Sequence, residues 1–140
     1  MASKTTFSFS LLVALLVIAS APCAYSEIVQ YRAFIIDELV EPLNITCNIN
    51  GQNLGLVSLK QSKVYKPTIN VDTSKTDDVV LTCNLNAGDR CGQFILFGYH
   101  RDGVRCDKRT CYWNLESDAL YLFLNNKQVL YYLWSHEGCR

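Results

Sequence analysis

An all-β fold, a disulfide-stapled antiparallel β-sandwich of about eight strands, is what the sequence predicts from residue 27 onward, and three observations carry that reading. Short apolar runs alternate with polar residues at period two, and no stretch sustains a 3.6-residue period. Turn-forming residues separate the runs at the roughly eight- to twelve-residue spacing that suits a sandwich. Cysteine supplies 7 of the 140 residues, more than a reduced domain normally carries.

Residues 28–36 read as a first strand. In 43–49, Leu43, Ile45, Cys47 and Ile49 alternate with Asn44, Thr46 and Asn48, so one face is apolar, the other is wet, and Cys47 points inward. Asn50-Gly51 favours the positive φ angles of a tight hairpin turn into 54–59. Pro67, inside 64–71, marks that run as an edge or bulged strand, because proline lacks the N–H a ladder needs. Val79, Leu81 and Cys83 share one face, as do Cys111, Trp113 and Leu115. Asp102-Gly103 gives a turn signal after the apolar run 94–99. Asn125-Asn126 separates 119–124 (ALYLFL) from 129–134 (VLYYLW), a pair apolar on both faces that suits either the centre of the sandwich or an exposed aromatic face.

The first 26 residues have the anatomy of a cleaved secretory signal. Lys4 is the one charge before Glu27, and 11–19 (LLVALLVIA) is an uninterrupted apolar run, long enough for a signal core and too short for a bilayer span. Small residues at Ala24 and Ser26 favour a cut before Glu27, with a cut after Cys23 as the alternative. Either removes Cys23 and leaves Cys47, Cys83, Cys91, Cys106, Cys111 and Cys139 in one domain, 27–140. An even count in a chain sent to an oxidising compartment reads as a disulfide framework, and no zinc-type spacing competes with it.

Lysine plus arginine and aspartate plus glutamate both total 13, so no long-range field gathers nucleic acid, and no basic amphipathic helix is present to insert into a membrane. Neither His100 nor His136 has the spacing of a general base or a metal ligand, and no serine-hydrolase elbow, phosphate loop or zinc-protease motif occurs. The reading is not an enzyme, with no cofactor and no metal. Asp77-Asp78 reads as a solvated turn, because neighbours on a strand point to opposite faces. Asn44-Ile45-Thr46 is the one N-glycosylation sequon, and the alternation places Asn44 on the wet face. Residues 101–109 (RDGVRCDKR) carry Arg101, Asp102, Arg105, Lys108 and Arg109 beside Cys106, a candidate stapled partner-binding loop as well as an ordinary solvated hairpin.

The string at 43–59 (LNITCNINGQNLGLVSL), Thr82-Cys83, Tyr99 with Arg101-Asp102, Arg105-Cys106, Cys111-Tyr112-Trp113 and Asp118 to Tyr121 together resemble the plant self-incompatibility (S-protein homologue) family. The resemblance spans about residues 33 to 135. It implies a small secreted β-sandwich whose shared cysteines fall on Cys47, Cys83, Cys106 and Cys111. Departures are Thr46 where the family often has histidine, Ala119 where it has glycine, and the additional Cys91 and Cys139.

Six cysteines allow fifteen pairings, and sequence selects none. If the inward Cys47 and Cys83 each meet one of Cys106 and Cys111, then Cys91 remains for Cys139. The expected set on that premise is Cys47–Cys111, Cys83–Cys106 and Cys91–Cys139. For function, the resemblance implies an extracellular recognition ligand: in self-incompatibility, a pistil-secreted protein meets a membrane protein of the pollen tube. The expected partner is therefore a plasma-membrane receptor on another cell, met by a monomer. A secreted defence protein, such as a hydrolase inhibitor, is the alternative.

Overall fold

Two β-sheets face each other across one apolar layer in the computed structural model, which describes residues 27–139. The expected signal segment, Cys23 within it, and Arg140 lie outside those residues. Ten strands form: β1 (Ile28–Asp37), β2 (Leu43–Ile49), β3 (Gln52–Leu59), β4 (Val64–Tyr65), β5 (Thr68–Asp72), β6 (Val80–Ala87), β7 (Arg90–Gly98), β8 (Thr110–Leu115), β9 (Ala119–Leu124) and β10 (Lys127–Leu133). The first sheet runs β10-β9-β8-β1-β4, with β5 also on β1, and the second runs β3-β2-β6-β7. Between β7 and β8 lie one helical turn, α1 (Tyr99–Asp102), and a 3₁₀ turn over Asp107–Arg109. Four residues are too few to print a helical period on the sequence.

The alternation locates the core correctly. Leu43, Ile45 and Cys47 of β2 and Leu81, Cys83 and Leu85 of β6 face Ala33 and Ile35 of β1 and Trp113 and Leu115 of β8, all buried. Asn50 and Gly51 adopt φ of 48° and 86°, and Asn125 and Asn126 adopt 52° and 60°, the left-handed pairs that two-residue hairpins require. Pro67 breaks its run into β4 and β5, both on the outer edge of β1, and its carbonyl accepts the Ala33 N–H at 3.2 Å. One pairing departs from the antiparallel pattern: β1 runs parallel to β8, with Ala33 opposite Cys111. Alternation of side chains reveals which face is buried and is silent on strand direction. The double-apolar pair resolves into β9, largely buried, and β10, an edge strand with Val129, Leu130 and Leu133 exposed.

The disulfides correct two of the three expected pairings. Cys47 bonds Cys83 and Cys106 bonds Cys111, while Cys91 bonds Cys139 as expected. Cys47 and Cys83 are indeed inward, but they sit directly opposite each other on adjacent strands of one sheet, with Cα atoms 4.0 Å apart. Each sulfur is therefore taken up by its neighbour within the sheet, and neither is left to cross the core. Cys91–Cys139 acts together with paired backbone bonds between Cys91 and Ser135, at 3.0 and 2.9 Å, to draw the end of the chain onto β7.

Asp37, the last residue of β1, is fully buried. Its Oδ1 accepts the Leu39 N–H at 2.9 Å, and its Oδ2 has no hydrogen-bond partner among the described residues. Desolvation, aided by the nearby charges of Glu38 and Glu41 and opposed by the Leu39 bond, raises its pKa above the ordinary aspartate value. A raised folded-state pKa means that this group's contribution to stability is complete below the unfolded pKa and is lost as pH rises through the folded one. Asp37→Asn is therefore expected to melt above the wild type near neutral pH, with the difference shrinking as pH falls. Melting curves across that range check it, and a difference independent of pH would contradict it.

Candidate functional site

A β-bulge in β7 begins the site. Leu81 pairs with Phe97 and Thr82 with Ile95, which leaves Leu96 unopposed. The two carbonyls there take side-chain donors: Trp113 Nε1–H donates to the Leu96 oxygen at 2.8 Å, while Tyr132 Oη and Arg101 Nη2 donate to the Ile95 oxygen at 2.9 and 3.0 Å. Trp113 belongs to the first sheet and Leu96 to the second, so this is a hydrogen bond across the apolar core. The Trp113 ring stacks on Tyr132 and meets Tyr131 edge-on, with centroids 5.8 and 5.3 Å apart.

Immediately after the bulge, the chain turns into α1. Asp78 Oδ1 accepts the His100 N–H at 2.9 Å, so the expected solvated turn also holds the start of this helix. Asp102 closes the turn and is fully buried. Its carboxylate accepts the Gly98 N–H at 2.8 Å, Arg101 Nη2 at 2.8 Å and Arg105 Nε. Arg101 Nη1 then donates to Tyr132 Oη and Arg105 Nη2 to Tyr131 Oη, each at 3.1 Å. Both guanidinium groups lie over the Tyr131 ring, at 5.3 and 5.0 Å from its centroid. Burial works against the charge of Arg101, but the bonds to Asp102 and Tyr132 outweigh it and hold the guanidinium pKa above its ordinary value.

Gly103 leaves the helix at φ −58°, and a Cβ there would stand 2.7 Å from the Tyr99 carbonyl oxygen. Close approach, not a positive φ, is what demands glycine at the Asp102-Gly103 signal. Val104 follows with 97% of its surface exposed. The chain then returns through Cys106, whose disulfide to Cys111 anchors it to β8. The two sulfurs and an Asp102 oxygen lie within 4.8 Å of one another, but the sulfurs are bonded to each other and offer no thiolate to a metal ion.

The five charged residues of the expected loop thus divide. Asp102 is inside and cannot touch a partner, Arg101 and Arg105 are partly buried with their charged heads turned onto Asp102, and Lys108 and Arg109 are exposed. Sequence reading missed Val104, because one valine among charges carries no periodic signal. It also missed the tyrosines of β10, whose partners lie some 30 residues away. His100 and His136 are exposed, as expected.

Beside the loop, a groove of about 810 Å³ crosses the outer face of the first sheet. Ile36, Tyr112 and Phe123 line it with Asn114, the residues from Val104 to Lys108 form one wall, and Asn125 and Asn126 stand at its end. Arg105 and Lys108 are matched there by Glu38 and Asp107, so neither sign dominates. The outer face of the second sheet is different in kind. Its cross-strand rows place Ser58, Asn44 and Asn86 together, then Leu56, Thr46 and Asn84. None of these side chains ionises.

A rigid sandwich with one stapled loop beside an open groove is a binding scaffold in form. The family model described as plant self-incompatibility protein S1 matches residues 34–134, most of the chain. The protein belongs to that family, a plant recognition and signalling family that is not catalytic in character. Comparison with curated proteins gives no match. Of the residues on which the resemblance rests, Arg101-Asp102, Arg105-Cys106 and Cys111 with Trp113 belong to the buried cluster and its staple, while the rest lie mainly along β2, β3, β6 and the start of β9.

Replacing Asp102 by alanine strips two guanidinium groups and the Gly98 N–H of their shared acceptor. Urea denaturation is expected to register a loss of about 3–5 kcal/mol for Asp102→Ala, against a change within about 0.5 kcal/mol for Lys108→Ala. Equal effects of the two substitutions would contradict the assignment.

Proposed function

We propose that the chain is a secreted recognition ligand that docks the tip of its 103–109 loop, with the adjoining groove, onto a plasma-membrane receptor of another cell. The observation that carries the reading is the division within the loop: its base is locked by Asp102 and by the Cys106–Cys111 bridge, while Val104, Lys108 and Arg109 stand in solvent. A loop ordered before it binds loses little conformational entropy on docking, so even a small contact set gives usable affinity. Family membership supports the recognition role, and six cysteines in three bridges suit an oxidising extracellular setting.

A hydrolase inhibitor is the weaker reading. Substrate-like inhibition of a protease wants an extended backbone, whereas this tip leaves a helix in the right-handed helical conformation at Gly103 and turns back at once.

Labelled oxidised protein titrated onto plant protoplasts, with unlabelled competitor, tests the proposal. Saturable binding is expected, and the combined Val104→Asp and Lys108→Glu variant should weaken it at least tenfold while melting like the wild type. Gln93→Ala, on the opposite sheet, should leave binding unchanged. Non-saturable binding on every tissue, or equal affinity of the loop variant, would contradict the reading.

A further inference from the structure

The sequon at Asn44 occupies an unusual place: the middle of a sheet face, on β2, flanked by β3 and β6. Asn44 is exposed there, and its Oδ1 accepts the Ser58 hydroxyl at 2.7 Å from the β3 side. A planar amide held by its oxygen on one side presents Nδ2 on the other. On that other side, toward β6 and β7, lies a shallow depression of about 330 Å³ bordered by Asn44, Thr46, Asn84, Asn86 and Gly92. Leu85 and the disulfide-bonded Cys91 complete its lining, so amides, one hydroxyl and some apolar surface meet there without an ionisable group.

We propose that Asn44 carries an N-linked oligosaccharide whose first N-acetylglucosamine units lie in this depression, making the outer face of the second sheet a sugar-covered face. The donor is a lipid-linked oligosaccharide pyrophosphate. The bond between C1 of its terminal N-acetylglucosamine and the pyrophosphate oxygen breaks, the C1–Nδ2 bond forms, Nδ2 gives up one proton, and the lipid pyrophosphate leaves. The hydroxyl of Thr46 and the exposed amide of Asn84 are then placed to hydrogen-bond sugar hydroxyl and acetamide groups. The uncharged rows around them offer hydrogen-bonding groups and no charge that a sugar would need to neutralise. The inference rests on the secretory route contained in the proposed function, and it leaves the 103–109 loop, on the other side of the sandwich, open to the receptor.

The test uses the full chain secreted from plant cells. Mass spectrometry of the peptide bearing Asn44 is expected to show an N-glycan that disappears in Thr46→Ala and persists in Thr46→Ser. Enzymatic removal of the sugar should shift the amide resonances of Asn84 and Gly92, lower the melting temperature by a few degrees and leave protoplast binding intact. A secreted chain with Asn44 unmodified would overturn this proposal and leave the recognition reading standing. A glycan whose removal moves neither resonance would overturn its placement in the depression. Loss of binding on sugar removal would contradict the docking face, and non-saturable binding by the glycosylated protein would count against the recognition reading alone.

Discussion

One buried carboxylate decides how this sandwich ends. Asp102 has no access to water, so its charge persists only with the donors that surround it, and those come from α1, the loop after it and the last residue of β7. Arg101 and Arg105 pass the constraint to Tyr131 and Tyr132 on β10. The tyrosines pack on Trp113, which is bonded to the Leu96 bulge in the opposite sheet. Replacing a buried ion cluster as a whole with apolar side chains is often neutral or stabilising, so net stability is not the account of its presence. Its role here is to give the 99–106 segment a single conformation on a scaffold otherwise made of strands.

The same arrangement explains how much could be read in advance. Strand runs at 43–49 and 119–124 and the turns at Asn50-Gly51 and Asn125-Asn126 were legible, because a two-residue period and a positive φ leave local marks on a sequence. What was illegible depends on neighbours distant in the chain. That Cys47 meets Cys83 requires knowing that β2 and β6 are adjacent and in register at that residue. That β1 runs parallel to β8 requires the topology of the whole. Arg101, Asp102 and Arg105 read as surface charges because charge is ordinarily solvated, and only the two tyrosines and the bulge carbonyls reveal why they turn inward.

The two outer faces differ in chemistry. On one side, the aromatic-lined groove and the stapled loop offer apolar surface with both signs of charge, the mixture from which protein interfaces are built. On the other, amide and hydroxyl rows surround Asn44 without any charge. The cluster beneath the loop is fixed by its own contacts, while Val104, Lys108 and Arg109 stand in solvent outside it.

The claim that the bulge, Trp113, the tyrosines and the Arg–Asp–Arg group form one unit is tested most directly by a double-mutant cycle of Trp113→Phe with Asp102→Asn, read by equilibrium urea unfolding. Trp113→Phe keeps an aromatic ring but loses the N–H to Leu96, and Asp102→Asn keeps the shape but loses the charge. A single unit predicts a coupling free energy of at least about 1 kcal/mol between them. Additivity within about 0.5 kcal/mol would show that the loop anchor and the cross-core bond are independent, and would contradict the account.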